Sequence, residues 1–267
     1  SGTFCIGCEA ESNNEMISTK NHSRSAAFNF LCSSKTKFNI KTTVTSPLQN
    51  NYREEADNIL TKYNAAYDSV KIEHDKKWKE FWMKSLMESG DDYLDQLWHL
   101  IMFYSACSQR GKYPGRFING LWTWNRDVQN WNFYFHWNQQ QIYWPLNAAG
   151  HHELVDSYLN YRFNSLPYAK NDAKRLFDVD GAFVSDVCDR MGRNSVAEAE
   201  NHTPVAQIAM DFWRQYLYTR DEEFLKDKAA PYILAAATFI ASLFERKDDG
   251  FYHAIKGTGY EGWILLN

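Results

Sequence analysis

Hydrophobic and polar positions change their spacing near residue 51. Before it the chain is rich in Ser, Thr, Asn and Lys and shows no helical period. Residues 27–31 and 38–44 alternate, with Phe38, Ile40, Thr42 and Val44 on one face, and read as two strands. Ser46 and Pro47 close the region. Two strands do not make a stable sheet alone, so residues 1–50 read as the last hairpin of a β-domain plus a linker. From residue 51 the apolar positions recur three and four apart. Ala56, Ile59, Leu60 and Tyr63 form one stripe, and His74, Trp78, Phe81 and Trp82 lie along another over residues 70–87. Asp91 or Asp92 caps a third helix with Leu94, Leu97, Trp98, Ile101, Met102 and Ser105 on its inner side. Gly, Pro, Asn and Trp break the period over residues 111–135. Helical spacing returns over 138–149, 153–164 and 169–177, and a Gly- and Asp-containing loop covers 178–201. Pro204 suits the first turn of a helix reaching Tyr218. Asp221 begins another that ends near Phe244, and Asp248-Asp249-Gly250 turns the chain. The final Trp263-Ile264-Leu265-Leu266 reads as an apolar helix start, as expected of a cut inside a domain.

Composition excludes several function classes. With 44% hydrophobic residues among 267, a large core is available. The net charge of -4, with Lys76-Lys77-Trp78-Lys79 the densest basic run, argues against a nucleic-acid partner. No apolar run approaches the roughly 18 residues that span a bilayer, so no membrane partner is expected. The chain opens on Ser1 without a signal peptide, and an upstream segment is expected. Of five cysteines, Cys5 and Cys8 form one CxxC without a second half, so no zinc site is expected; an odd count argues against a complete disulfide framework. Asn21-His-Ser and Asn201-His-Thr match the glycosylation sequon, a short pattern that often arises by accident.

Residues 113–153 concentrate the candidate chemistry. Trp122, Trp124, Trp131, Trp137 and Trp144 are five of the chain's ten tryptophans, interleaved with Asn and Gln and few charges. Flat indole faces beside neutral amides suit a sugar ring, whose C–H bonds stack on the aromatic while its hydroxyls pair with the amides. The plainer reading is an aromatic core with amides bonded to loops.

Gly120-Leu121-Trp122, followed by Asn138, Gln140 and Tyr143-Trp144-Pro145, resembles glycoside hydrolase family 95, the inverting 1,2-α-L-fucosidases. The family's pattern resembles G-x-W and then N-x-N-x-Q-x-x-Y-W-P; His136 stands at its first asparagine. His74-x-x-x-Trp78-x-x-Phe81-Trp82 is similar to the family's lead-in helix, and Trp213-x-x-Tyr216 through Phe224-Leu225 to its helix pair. The resemblance runs from about residue 56 to 225 and more loosely to 263. It implies a mainly α fold: part of an (α/α)6 barrel over residues 51–267, preceded by a β remnant of an N-terminal β-sandwich over 1–50. It also implies an oligosaccharide or glycan substrate, no cofactor or metal, and a secreted or periplasmic location.

Inverting hydrolysis needs a protonated carboxyl on the leaving oxygen and a base on a water across the ring, roughly 6.5–9.5 Å apart. The resemblance puts the acid before the Trp213 helix, where Glu198 and Glu200 stand. A helix N-terminus would lower the pKa of Glu200, so Glu198 is kept beside it. Asn138 and His136 lie two apart; in an extended segment both would reach one water, and an imidazole accepts a proton where an amide does not. Trp122, Trp124, Asp127, Trp131, Gln140 and Trp144 are the substrate-binding candidates. Asp180, Asp186 and Asp189 read more simply as loop caps. The family's base Asp is expected beyond residue 267, so the 267-residue chain alone is expected to be weak or inactive. Two rivals stand: a non-catalytic carbohydrate-binding helical protein, and another (α/α)6 enzyme. A lyase would want an Arg- and Lys-lined groove, and a phosphorylase a phosphate cradle; neither is evident in the sequence.

Overall fold

The structure is a computed structural model. It describes residues 6–12, 16–22, 25–30, 38–45, 51–63, 67–111, 113–115, 134–195, 201–254, 257–258 and 265–266, with the backbone alone for 6–41 and 257–266. The chain forms two compact units, Ser1–Phe81 and Trp82–Asn267.

The first unit holds β1 (Ile6–Ser12), β2 (Met16–His22), β3 (Ser25–Phe30), β4 (Phe38–Val44), α1 (Tyr52–Tyr63) and most of α2 (Tyr67–Trp82). Both strands expected from alternation are present, but they are not each other's partners. The antiparallel pairs are β1 with β4 and β2 with β3. A two-residue connection lets β2 and β3 close locally, and β4 returns to β1. The polar composition of β1 and β2 hid them from the pattern. Helix α1 packs against β1 and β4 and buries Ala56. On α2, Trp78 Nε1 donates to His74 Nε2 at 2.9 Å, and the Trp78 ring meets Phe81 edge-on at 5.5 Å, as residues three and four apart on one face must.

The second unit is mainly helical. Asp91 caps α3 (Asp92–Ser108), accepting from the amides of Tyr93 and Leu94. Met102 and Ser105 of the expected inner stripe are buried, whereas Leu94, Leu97 and Ile101 remain 40–45% exposed. Sequence spacing gives a stripe; only a packing partner gives burial. After β5 (Tyr134–Phe135), the single helix expected over 138–149 is two: α4 (His136–Gln141) and α5 (Trp144–Ala148). Pro145 sits in the first turn of α5, where its missing N–H costs nothing. A 3-10 turn (His152–Leu154), α6 (Asp156–Asn164), α7 (Leu166–Phe177), β6 (Val187–Cys188) and α8 (Thr203–Thr219) follow. Asp221 caps α9 (Glu222–Phe224), which continues through a π-helical turn (Leu225–Ala229) into α10 (Ala230–Ser242). Asp248-Asp249-Gly250 lies between β7 (Phe244–Arg246) and β8 (Tyr252–Ala254), so the expected turn joins a hairpin. The expected terminal helix start is instead β10 (Leu265–Leu266), paired with β9 (Gly257–Thr258). A short apolar run carries no period that separates the two states. No helix among the described residues is long and apolar enough to cross a membrane.

The core lies between α6, α8 and α10. Val205, Ile208 and Phe212 on α8, Tyr158 and Leu159 on α6, and Tyr232 and Phe239 on α10 are fully or nearly fully buried, and Phe212 stacks on Tyr232 at 4.4 Å. The 178–201 loop reaches this core through Gly181, at φ 101°, where Ala182 N donates to Ala235 O at 3.0 Å. A Cβ on Gly181 would lie 2.4 Å from the Phe239 nitrogen. Gly181→Ala is therefore expected to cost about 1–3 kcal/mol through forced repacking, read as a lowered thermal midpoint; an unchanged midpoint would show that the loop moves freely.

Candidate functional site

Both stems of the tryptophan-rich loop are held. At its start, Gly115 N donates to Gln109 Oε1 at 2.9 Å and to Tyr143 OH at 2.8 Å, and the Tyr143 hydroxyl itself donates to Gln109 Oε1. Gln139 Nε2 donates to Gly115 O at 3.2 Å. At its end, Tyr134 packs on Tyr161 at 4.6 Å and pairs with Cys188 across the β5–β6 ladder. The tyrosine of Tyr143-Trp144-Pro145 is thus a brace under the loop: it is buried, stacks on Tyr158 at 4.7 Å, and burial pushes its phenol pKa up.

Asp211 on α8 is the polar centre beneath α4 and α5. Its Oδ2 accepts from Gln140 Nε2 at 2.6 Å and Tyr158 OH at 2.9 Å; its Oδ1 accepts from Trp144 Nε1 at 3.1 Å and from Arg214 Nη1. Burial pushes this carboxyl above the usual carboxylate range, and the donors led by Gln140 and Tyr158 pull against it. Trp144 meets Trp137 edge-on at 4.9 Å, and the Arg214 guanidinium lies 5.8 Å over the Trp144 ring. Trp137 is exposed, so this pair carries an aromatic face to solvent.

Behind it Arg162 on α6 is fully buried. It donates to Gln139 Oε1 at 2.7 Å and lies over the Tyr161 ring at 5.1 Å and the Tyr158 ring at 5.8 Å. Tyr158 therefore stands between this buried cation and the Asp211 carboxylate.

His136 begins α4 and is buried. Its Nδ1 is bonded to Asp186 Oδ1, and its backbone N donates to Asp186 O at 2.9 Å. Because α4 starts at His136, His136 and Asn138 are not on an extended segment; on a helix residues two apart point about 200° from each other. The premise that one strand face presents both to a single water does not hold. The Asn138 side chain is half-buried and has no hydrogen-bond partner among the described residues.

Of the substrate-binding candidates, Gln140 is buried on Asp211 and Trp144 is half-buried on the same carboxylate. Trp122, Trp124, Asp127, Trp131, Glu198 and Glu200 lie outside the described residues. The sequence reading missed Asp211 and passed over Asp186 as a loop cap. Asp211 had one legible sign: an acid on the core face of α8, between Ile208 and Gln215, both buried.

Residues 49–262 match the glycosyl hydrolase family 95 catalytic domain. A kojibiose hydrolase of Flavobacterium johnsoniae is 26% identical over 76% of this chain and 30% of its own length. Alpha-L-fucosidase 2 of Arabidopsis thaliana is 26% identical over 55% of this chain and 19% of its own. A solved structure named as a kojibiose phosphorylase from the human microbiome superposes with a TM-score of 0.67 and 16% identity, over 97% of this chain and 36% of that one. The fold is that of the (α/α)6-type glycosidases. The chain spans 30% or less of the curated relatives it matches here.

Proposed function

This chain belongs to the glycosyl hydrolase family 95 catalytic domain family, and we propose that the protein carrying it is an O-glycosyl hydrolase that cleaves its glycan substrate with inversion. The observation that carries the reading is the match over residues 49–262, within which the Trp137–Trp144 pair and the braced loop stems supply a sugar-compatible frame. The substrate is an α-L-fucoside or a related sugar; the names of the relatives put kojibiose beside it. Residues 1–50 are the end of a β-sandwich plus linker, and residues 51–267 part of the catalytic barrel. Glu200 or Glu198 is the acid, and one of Asn138 and His136, which do not share a helix face, acts on the water side. Trp122, Trp124, Asp127, Trp131, Gln140 and Trp144 form or back the sugar platform.

The test is to incubate the full natural protein with kojibiose, an aryl α-L-fucoside and a 2′-fucosylated oligosaccharide, with and without phosphate, and to follow the first-formed anomer by proton NMR. The expected result is free sugar of inverted configuration, independent of phosphate. A sugar phosphate formed only with phosphate present would make the protein a phosphorylase. Binding measured by calorimetry without turnover of any substrate would make it a carbohydrate-binding protein.

A further inference from the structure

Trp137 is absent from the substrate-binding candidates that the sequence offers, yet it is the more exposed of the two tryptophans on α4 and α5. It is 45% exposed and meets Trp144 edge-on at 4.9 Å. Trp144 is already occupied: its Nε1 donates to Asp211 at 3.1 Å, and the Arg214 guanidinium lies over its ring at 5.8 Å. Arg214 follows Asp211 by three residues on α8 and donates to it through Nη1. The other N–H groups of this guanidinium have no hydrogen-bond partner among the described residues, and the side chain is 38% exposed. A buried carboxylate on one side and an indole on the other hold the arginine in place. Its remaining donors are thus positioned before any ligand arrives.

An exposed indole beside a fixed donor fork is a pairing that a sugar ring fits. Its C–H bonds stack on the indole, and its neighbouring hydroxyls accept from the N–H groups. The charge of Arg214 is matched by Asp211, so the patch offers no unpaired cation to select an acidic sugar. An apolar helix laid over the patch would strand those N–H groups without acceptors, which burial penalises. The position also constrains which sugar is held. Trp137 lies between His136 and Asn138, and on α4 each of these neighbours points about 100° away from it. The patch therefore faces another side of the helix from the two water-side candidates, and suits a sugar other than the one cleaved.

We propose that Trp137 and Arg214 form a second glycan subsite, which takes a neutral sugar unit beyond the one cleaved. Its place on the substrate rests on the glycoside hydrolase reading above. Trp137 carries the stacking face, Arg214 supplies the donors, and Asp211 and Trp144 position the arginine.

The test uses the full natural protein and its Trp137→Ala, Arg214→Met and Arg214→Lys variants. The substrates are kojibiose and a 2′-fucosylated oligosaccharide, which carry a sugar beyond the cut, and glucosyl and fucosyl fluorides, which carry none. On the oligosaccharide or disaccharide that wild type cleaves, each variant should raise KM about tenfold, with kcat little changed, as expected when binding energy remote from the reacting bond is lost. On the matching fluoride the loss should stay under about threefold. Arg214→Lys keeps a cation for Asp211 but not the planar fork, so its thermal midpoint should hold while its KM still rises. Equal losses on both substrate classes, wild-type KM in Trp137→Ala, or wild-type KM in Arg214→Lys would overturn the subsite. So would a thermal midpoint that falls sharply in Trp137→Ala, because the indole would then be covered by protein. No wild-type turnover of any substrate would bring down the hydrolase reading alone. The subsite would then be decided by saturable quenching of tryptophan fluorescence by the same sugars: present in wild type and lost in Trp137→Ala if it exists, and absent from wild type or kept in the variant if it does not.

Discussion

Asp211→Ala is expected to cost about 3–5 kcal/mol of stability, because removing one member of a buried charged network leaves its partners without a counterpart. Four donors converge on this carboxylate: Gln140 and Tyr158 at one oxygen, Trp144 and Arg214 at the other. Truncation would strand the Gln140 amide and the Tyr158 hydroxyl where water does not reach. It would also release Trp144 and with it the α4–α5 segment. Asp211→Asn should cost less, about 1–3 kcal/mol, for a specific reason. Gln140 Oε1 is buried without a partner, so Gln140 can turn its carboxamide and accept from the new Asn amide. The Tyr158 hydroxyl can likewise become an acceptor. Trp144 and Arg214 would keep an oxygen, and only the charge would be lost. Urea titration of the two variants beside wild type measures both. An alanine variant within 1 kcal/mol of wild type would mean that the convergence on Asp211 does not hold the segment.

The helices were legible where their ends are written locally. Asp91, Pro204 and Asp221 act on residues within one turn, so α3, α8 and α9 begin where the sequence put them. The strands β1 and β2 were not legible, because polar alternation without a partner looks like loop. The break between α4 and α5 was carried by Pro145, which the hydrophobic period does not register. For the candidate site, Tyr143-Trp144-Pro145 stood out as a motif, but its mechanical role did not. That role lies in contacts to Gln109, 34 residues away, and to Asp211, 67 residues away. Asp186 was hidden in the same way: an aspartate in a polar loop has a local use as a cap, and only the fold brings it to His136, 50 residues distant. Residue types announce local chemistry; the partner that decides their function is set by packing.

Glu198→Gln or Glu200→Gln, whichever is the acid, is expected to lower kcat/KM by about 10²–10⁴-fold on a natural glycoside. Amide and acid are nearly the same size, so the change removes the proton and little else. The size of the loss must then follow the leaving group. An alkoxide leaving from a sugar hydroxyl needs protonation as the bond breaks. A fluoride or a dinitrophenolate departs largely unaided. The acid variant should therefore retain much of wild-type activity on a glycosyl fluoride or dinitrophenyl glycoside while failing on the disaccharide. The other glutamate's variant should remain near wild type on both. Helix α8 has 17 residues and begins at Thr203, whose hydroxyl donates to Asn201 Oδ1 at 2.8 Å. In sequence Glu200 stands two residues nearer than Glu198 to the start of α8, and a helix N-terminus disfavours a protonated carboxyl, so the helix field alone favours Glu198 as the acid. The measurement is kcat/KM for both variants on both leaving-group classes at several pH values. A loss equal on good and poor leaving groups would show that the substituted glutamate supports binding or folding instead of delivering a proton. Unchanged activity in both variants would remove the 178–201 loop from the chemistry altogether.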